Sequence, residues 1–426
     1  MSATPQNKTA SCYIPSVYDA SLMEQAAKAC LESLGGDPDL VFAFVSSDYK
    51  RHLKDLIEVL KVYGHADEII GSSGDGLIGV GEEGENISGA SLLFLRFPGA
   101  ELSRNEISES TIYQSADGIP WNELVTTGEG ESRGWITIAN PINIDLDSWV
   151  RPWNSAFPDV PTFGGLASGG PEEDDIFLFN ENGLTDDSLV AVHFAGEIRL
   201  GGVVSQGCRP IGEPFTITKV ARNQVLTIGQ RHAFEVLEEA YQSLDFEDRI
   251  VADGKVCAGI AMNEYVDDFK SGDFQIRHIL GAKADKSALA LGAYPRVGQT
   301  MQFQLRDKET ADEDLRRQCK ESIDKFGTPL GSLVFAGAGR GVSLFGEPNH
   351  DVGVIEETFG KIPLGGLFSN GQLGPVGGRN FVHDHTVSAV FFLDPEKEEA
   401  DETAVEDAVE APVSEAATED EDVSAG

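Results

Sequence analysis

The chain has 426 residues, and its 71 acidic against 32 basic residues give a formal net charge of −39. Such a surface repels polyanions, so the sequence excludes nucleic acid and anionic membrane as partners. Hydrophobic residues make up 41% of the chain, an ordinary share for a water-soluble globular protein. The length is enough for two or three domains, each with a full core.

The start of the chain and the cysteines both indicate a cytoplasmic protein. Met1 to Ser11 is polar and lacks the basic start and apolar run of a secretory signal. No segment approaches the roughly 18 apolar residues that a membrane helix needs, so no membrane insertion is expected. The five cysteines stand far apart without CxxC spacing and are predicted to be reduced thiols: Cys12, Cys30, Cys208, Cys257 and Cys319.

The first hundred residues read as a strand–helix–glycine-turn–strand unit. Helical spacing of apolar residues predicts a helix from Asp19 to Leu34, and a β-rich run predicts a strand from Leu40 to Val45. A second helix is predicted over roughly Tyr49 to Val62. The glycine-rich turn Gly71–Gly79 follows, and then a strand from Ala90 to Phe97.

This order recurs twice. The second unit has a strand over Trp135–Ala139, a helix over Leu146–Ala156 and the turn Phe163–Gly170, followed by Ile176–Phe179 and Leu189–Phe194 as a strand pair. The third unit, Gly331 to Leu393, contains an apolar strand, Gly337-Ala338-Gly339-Arg340-Gly341, a helix from Asn349 to Gly360, a second glycine turn and a final strand from Val387. Its Gly366-x4-Gly371 spacing repeats that of Gly71-x4-Gly76.

Between the second and third units lies a segment without this pattern. Val203–Arg222 reads as two strands around a Pro/Gly corner, and His232–Leu244 reads as a helix. Further strands are predicted near Val256–Met262, Gln275–Leu280, Ala288–Leu291 and Met301–Leu305, with a helix from Ala311 to Phe326. The predicted organisation is a disordered N-terminus (1–13), a first domain (14–244), a second domain (245–394) and an acidic disordered tail (395–426).

Several motifs in this order resemble the FIST family over roughly Leu22 to Leu393. They are Ser205-Gln206-Gly207-Cys208-Arg209-Pro210-Ile211-Gly212, then Arg340-Gly341, then Gly371-Gln372-Leu373-Gly374-Pro375-Val376-Gly377-Gly378-Arg379-Asn380-Phe381. The resemblance implies an N-terminal FIST domain before residue 245 and a C-terminal FIST domain after it. It also implies a small-ligand sensory protein of intracellular signal transduction, with an amino acid or related metabolite as ligand. The family has no established catalytic residues to carry over.

Three positions depart from the family's usual pattern. Gln372 stands where a glutamate is usual, Gly76-Leu77 stands where a Gly-Glu pair is usual, and Gly337 stands where a cysteine is frequent. Losing two carboxylates disfavours a cationic ligand or a metal at these turns.

The sequence therefore predicts an α/β (mixed α+β) protein with two related lobes of mixed β-sheet, helices on the outer faces and a ligand cleft at the glycine-rich turns. Bare amides in such turns can hold a small anionic group. Arg340 could add its guanidinium fork, or could instead be paired with a nearby acid. The predicted ligand-binding residues are Ser72, Ser73, Asp75, Gly164, Gly165, Ser168, Cys208, Arg209, Arg340, Ser369, Asn370, Gln372 and His383. No cofactor, metal or catalytic residue is predicted, and the expected partners are a small ligand and a signalling protein.

Alternatives remain open beside this reading. Gly79-x-Gly81-x-x-Gly84 fits a dinucleotide fingerprint as a string, but it precedes a strand and is read as a hairpin turn. Cys208 beside Arg209 could be an enzyme nucleophile, although no histidine is local. His383 and His385 would share one strand face, which supplies at most two metal ligands. The acidic tail could make the protein an interaction scaffold.

Overall fold

A computed structural model describes residues 6–252, 254–266, 268–270, 272–283 and 287–395. The predicted acidic tail therefore lies outside the described residues, apart from Pro395. Residues 6–394 form one compact unit of mixed α/β architecture, which confirms the predicted fold class. Helices lie on its outside. No described helix is both long and apolar enough to cross a membrane.

Three repeated units build most of the fold. The first consists of β1 (Lys8–Ile14), α1 (Ala20–Leu34), β2 (Leu40–Val45), α2 (Leu53–Gly64), β3 (Ile69–Ser73), β4 (Gly76–Gly79), β5 (Glu82–Glu85) and β6 (Ala90–Arg96). The second consists of β7 (Ala100–Ile107), α3 (Glu109–Ala116), α4 (Trp121–Leu124), β8 (Ser132–Ala139), α5 (Leu146–Ala156), β9 (Thr162–Leu166), β10 (Leu178–Asn180), β11 (Gly183–Thr185) and β12 (Leu189–Gly196).

The third unit is interrupted by an insertion after its first strand, β13 (Arg199–Ser205). The insertion holds β14 (Cys208–Ala221), β15 (Gln224–Ile228), β16 (Arg231–His232), α6 (Ala233–Gln242), α7 (Phe246–Val251), β17 (Val256–Ala261), β18 (Phe274–Arg277), β19 (Ile279–Lys283), β20 (Ala288–Leu291) and β21 (Thr300–Arg306). The unit then resumes with α8 (Lys308–Phe326), β22 (Gly331–Gly337), α9 (Gly341–Phe345), α10 (His350–Phe359), β23 (Leu364–Ser369), β24 (Gln372–Val376), β25 (Arg379–His383) and β26 (Val387–Leu393).

Each unit forms a six-stranded sheet with the same strand order, and each passes one hairpin to another unit. The three orders are β1-β6-β2-β3-β10-β11, β7-β12-β8-β9-β24-β25 and β13-β26-β22-β23-β4-β5. In every unit the second and third strands pair in parallel, and the hairpin that follows the glycine turn joins a neighbouring sheet. The sequence predicts two related lobes, whereas the structure has three related sheets that exchange hairpins with one another.

The core follows from this arrangement. One central cluster takes Phe44 from the first sheet, Ile138 from the second and Phe335 from the third, so the inner sheet faces pack on one another. The outer faces pack on their own helices, α1 and α2 for the first sheet, α5 for the second, and α8 and α10 for the third. The insertion has a separate cluster beneath α6, formed on its own sheet β18-β17-β21-β14-β15-β20-β19.

Two sequence predictions are corrected here. Residues 8–13, expected to be disordered, belong to β1, which pairs antiparallel with β6 along seven positions from Lys8 to Ile14. No local pattern indicates this partner, because β6 lies more than seventy residues away along the chain. The two runs predicted as a strand pair, β10 and β12, belong to different sheets, because β10 pairs with β3 and β11 while β12 pairs with β7 and β8.

Candidate functional site

The three glycine turns, Gly71–Gly79, Phe163–Gly170 and Gly365–Pro375, meet in one hydrogen-bond network, as the repeated pattern predicts. Ser168 of the second turn is its centre: its hydroxyl accepts from the amide of Asp75 at 2.9 Å and donates to the carbonyl of Phe368. The Ser168 amide donates to Ser73, and the Leu166 amide donates to Gly371. The second turn is thus bonded to both of the others, and the first and third turns pair directly where β4 meets β23.

Three glycines occupy equivalent places at these turns because two strands approach too closely for a side chain. A β-carbon added to Gly71, Gly164 or Gly366 would lie 2.5, 2.0 or 2.1 Å from the carbonyl oxygen of the residue paired with it on the neighbouring parallel strand. Gly165 is as tightly placed, since its β-carbon would lie 2.6 Å from the ring of Phe335. These glycines are explained by packing alone.

Most of the polar side chains predicted at the turns are buried and bonded to their own framework. The Ser73 hydroxyl accepts from Phe177, and Gln372 donates to Ser369 and accepts from the amide of Thr386. His383 is fully buried and bonds the carbonyl of Gly374 at 3.2 Å, and burial lowers its pKa to about 3. The Ser72 hydroxyl is buried without a partner among the described residues.

Asp75 and Asn370 are the predicted turn residues that reach the surface. The backbone of Asp75 is held on both sides, because its amide donates to Ser168 and its carbonyl accepts from Asn86. A ligand role for the turn residues stays a prediction, and these two side chains are where it can be tested.

Arg340 directly precedes α9 and is fully buried. Its guanidinium makes two hydrogen bonds to the carboxylate of Asp351, at 2.7 and 2.8 Å. Asp351 also bonds His350, and these two cations outweigh burial and hold the pKa of Asp351 below its ordinary value. Of the two alternatives considered for Arg340, pairing with an acid is the one observed.

Glu83 completes this buried group. It lies 7% exposed in β5, and one carboxyl oxygen accepts from the amide of Val352 while the other has no partner among the described residues. Burial and the nearby charge of Asp351 raise the pKa of Glu83 to about 7, and the amide of Val352 and Arg340 oppose the shift. A protonated Glu83 would therefore be common near neutral pH.

Cys208 and Arg209 point to opposite faces of β14, as neighbours on a strand do. Cys208 packs with Cys257, Phe274 and Ile276, and burial raises its pKa well above the ordinary value. Arg209 instead forms ion pairs with Asp248 and Asp307 at 2.5 and 3.0 Å. The thiol is thus poorly placed as a nucleophile, because a thiolate is the reactive form. No disulfide joins the five cysteines, all of which lie among the described residues.

A cleft of about 260 Å³ lies where the insertion meets the second sheet. One wall comes from β17, β18 and the loop after β20, and the other comes from α5 and β25. Four arginines line it, Arg151, Arg277, Arg296 and Arg379, together with the acids Asp147 and Glu264. This concentration of arginines contrasts with a chain whose net charge is −39.

Arg277 anchors the inner end of the cleft. Its side chain is only 2% exposed, it forms an ion pair with Asp147, and its Nη1 lies 3.8 Å from Asp384. Its Nε–H is buried and has no partner among the described residues. A buried guanidinium with an unused donor favours an additional acceptor in the cleft.

The other three arginines of the cleft are exposed. Within the described part of the chain, the side chains of Arg151, Arg296 and Arg379 make no hydrogen bond or ion pair. The floor between them is fixed by amides, since Asn154 and Asn380 bond each other and Asn380 also accepts from the amide of Thr162. The cleft therefore combines a rigid base with three available guanidinium groups.

Sequence reasoning missed this site. Its arginines come from α5, β18, the loop after β20 and β25. The first of them, Arg151, is 228 residues away from the last, Arg379. Arg379 lies in the Gly377-Gly378-Arg379-Asn380-Phe381 motif already noted, and that motif was the signal available. The predicted turn residues and the cleft form separate places in the fold, with β24 and β25 connecting them.

Comparison with known proteins gives the family. The chain matches the FIST N domain over residues 39–231 and the FIST C domain over residues 233–375. It is 30% identical over 372 residues to an uncharacterized protein of Mycobacterium tuberculosis, covering 87% of this chain and 95% of that protein. It is 36% identical over 260 residues to an uncharacterized protein of Mycobacterium bovis, covering 61% of this chain and 67% of the other.

A more distant relative shares only a part of the chain. An F-box/LRR-repeat protein of Arabidopsis thaliana is 32% identical over 102 residues, which is 23% of this chain and 19% of the plant protein. The two domain matches together with the nearly full-length mycobacterial relative establish that the chain belongs to the FIST family, whose domains are associated with signal transduction and ligand binding.

Proposed function

We propose that this protein is a cytoplasmic sensor that binds a small carboxylate, such as an amino acid, in the arginine-lined cleft and passes its bound state to a signalling partner. The observation that carries the proposal is that three exposed arginines, whose side chains make no hydrogen bond or ion pair within the described chain, line the cleft together with the buried Arg277. Arginine presents a planar fork that matches a carboxylate in a bidentate way.

The remaining lining chemistry favours an amino acid over a simple dianion. Asp147 and Glu264 place carboxylates in the same cleft, where they can accept from an ammonium group. The volume of about 260 Å³ is close to the lower end of ordinary ligand pockets, which begin at about 300 Å³. A ligand of amino-acid size fits this space.

The position of the cleft supports a sensory role. Its two walls belong to the insertion and to the second sheet, so a ligand that contacts both favours the arrangement in which the walls are close. A ligand shifts a conformational equilibrium only by its difference in affinity for the two states. Contacts on both walls provide such a difference.

An enzyme using Cys208 is disfavoured, because burial raises the pKa of its thiol and the side chain packs in an apolar cluster. The scaffold alternative depends on residues 396–426, which lie outside the described residues. No structural observation favours either alternative over the sensor.

A thermal-shift screen of amino acids and small carboxylates tests the proposal. A ligand that binds only the folded protein raises the melting temperature. At a free concentration one hundred times its Kd, such a ligand adds about 2.7 kcal/mol to the free energy of unfolding. The variant Arg151→Ala/Arg296→Ala/Arg379→Ala is expected to lose that shift. Arg51→Ala, an exposed arginine outside the cleft, is the matched control and is expected to keep it. Equal shifts in both variants would contradict the proposed site.

A further inference from the structure

Three metal-binding side chains converge where the insertion contacts the third unit. Cys257 lies in β17, His278 lies between β18 and β19, and His385 lies in the turn between β25 and β26. One ligand atom from each residue lies within 4.8 Å of the other two. We propose that Cys257, His278 and His385 bind a zinc-type transition-metal ion.

The spacing of the two imidazoles suits one shared ion. Nε2 of His385 lies 3.1 Å from Nδ1 of His278. Two nitrogens that bind the same Zn²⁺ at about 2.0–2.1 Å in tetrahedral geometry are roughly 3.3 Å apart. The two rings are also nearly perpendicular, with an interplanar angle of 68°, so they can direct lone pairs to a common point without stacking.

The histidines correct one sequence prediction. His383 and His385 do not share a strand face, because β25 ends at His383 and His385 has a left-handed backbone conformation with φ 57°. That conformation is uncommon for a residue other than glycine and turns the His385 ring toward the insertion. His383 faces Gly374 instead, so the second imidazole of the site comes from His278, which the sequence did not associate with either residue.

His385 can offer its Nε2 to a metal. This nitrogen faces Nδ1 of His278 at 3.1 Å, whereas the buried Nδ1 of His385 lies against the backbone of Ala338. A metal-binding imidazole commonly directs its other ring nitrogen to a backbone carbonyl, which fixes the orientation of the ring.

The donor set selects the class of ion. A thiolate with two imidazoles suits Zn²⁺ and similar borderline or soft ions, whereas Mg²⁺ and Ca²⁺ prefer oxygen ligands. Binding would displace the thiol proton of Cys257, because the thiolate is the form that coordinates a metal. Asp384 adds a further negative charge beside the site and accepts from the amide of His278 at 3.3 Å.

The inference is independent of the carboxylate proposal. The cleft arginines contribute nothing to the three donor atoms, and the metal would join the insertion to the third unit through side chains of its own. Three protein ligands leave a fourth position for water or an external group.

Two titrations of the full chain test this proposal, after a chelator has removed bound metal. In the first, Co²⁺ is added and its binding is followed by absorbance. In the second, the Zn²⁺ affinity is measured by competition with a chromophoric chelator. We expect one ion per chain and a thiolate-to-cobalt charge-transfer band that Cys257→Ser abolishes. His278→Gln, an exposed position that is safe for folding, is expected to weaken Zn²⁺ binding by more than the roughly 10- to 100-fold cost of losing an outer-shell partner.

The matched control is His232→Gln, an exposed histidine in the same insertion, which should bind as the wild type does. Failure of the wild-type protein to bind Co²⁺ or Zn²⁺ at one ion per chain would overturn the proposal. Equal Zn²⁺ affinity in His278→Gln and wild type would overturn it as well, whether or not Cys257→Ser folds.

Discussion

Two buried arginines, Arg340 and Arg277, differ in how completely their guanidinium groups are hydrogen-bonded. Arg340 is fully buried, and its guanidinium makes two hydrogen bonds to the carboxylate of the equally buried Asp351. Arg277, at the inner end of the cleft, is almost as buried but has one N–H without a partner among the described residues, and three exposed arginines surround it. The first arrangement holds the structure together, and the second is suited to a ligand.

The largest expected loss of stability comes from breaking the ion pair between Arg340 and Asp351. Arg340→Met leaves Asp351 buried without its main partner, and removing one member of such a pair costs about 3–5 kcal/mol. Urea unfolding measures the loss. Lys320→Ala removes an exposed ion pair with Asp324 and should cost less than about 1 kcal/mol. Similar losses in the two variants would show that Arg340 is not structural.

The next effect concerns the glycines at the turns. Gly366→Ala places a β-carbon 2.1 Å from the carbonyl of Val334 and should destabilise by about 3 kcal/mol, the upper range for overpacking. Gly353→Ala is the matched control, because nothing lies within 4 Å of its β-carbon and it is in helix α10. It should be neutral or stabilise by up to about 1 kcal/mol. Equal unfolding midpoints in the two variants would refute the packing explanation.

A smaller effect depends on pH. The pKa of Glu83 is about 7 in the folded protein against 4.5 ordinarily, so the folded state binds more protons between these values and stability falls as pH rises through this range. The loss should be on the order of 2 kcal/mol between pH 5 and pH 8. Glu83→Gln should flatten that part of the stability curve, as measured by urea unfolding at several pH values. An unchanged slope would mean that Glu83 titrates normally.

Asp351 contributes in the opposite direction at lower pH. Because its folded pKa is depressed, the stability that it provides is present above pH 3.8 and is lost as the pH falls through its folded pKa. The full pH curve of the wild type should therefore have a maximum near pH 4–5 from these two groups.

The smallest effect on stability is expected in the cleft. The side chains of Arg151, Arg296 and Arg379 are exposed and make no hydrogen bond or ion pair in the described chain, so each alanine substitution should change the free energy of unfolding by no more than about 0.5 kcal/mol. Urea unfolding of Arg379→Ala checks this directly. A loss of more than 1 kcal/mol would indicate a structural role and would weaken the contrast with Arg340.

Local features of the fold were predictable because they depend on nearby residues. The apolar runs at Leu40–Val45 and Val387–Leu393 became strands with those bounds, and Leu146–Ala156 became a helix with Asp145 as its N-cap. The Gly79–Gly84 string is the β4–β5 hairpin, as expected. The spacing shared by Gly71 and Gly366 identifies the repeated units from the sequence alone.

The exchange of hairpins between sheets was not predictable in the same way. Nothing near Leu77 indicates that β4 pairs with β23, almost three hundred residues later. The candidate sites depend on this tertiary pairing, since Arg277 meets Asp147 and His278 meets His385 only after the insertion has packed on the other units. Residue types alone could propose pockets at the turns but could not locate the cleft.

Isothermal titration of the strongest ligand from the thermal-shift screen tests most directly whether the cleft or the turns form the ligand site. It compares Arg151→Ala/Arg296→Ala/Arg379→Ala with Asp75→Ala/Asn370→Ala, which removes the two exposed turn side chains. We expect the cleft variant to lose binding by at least about a hundredfold and the turn variant to bind as the wild type does. Loss of binding in the turn variant, with full affinity retained in the cleft variant, would contradict the account.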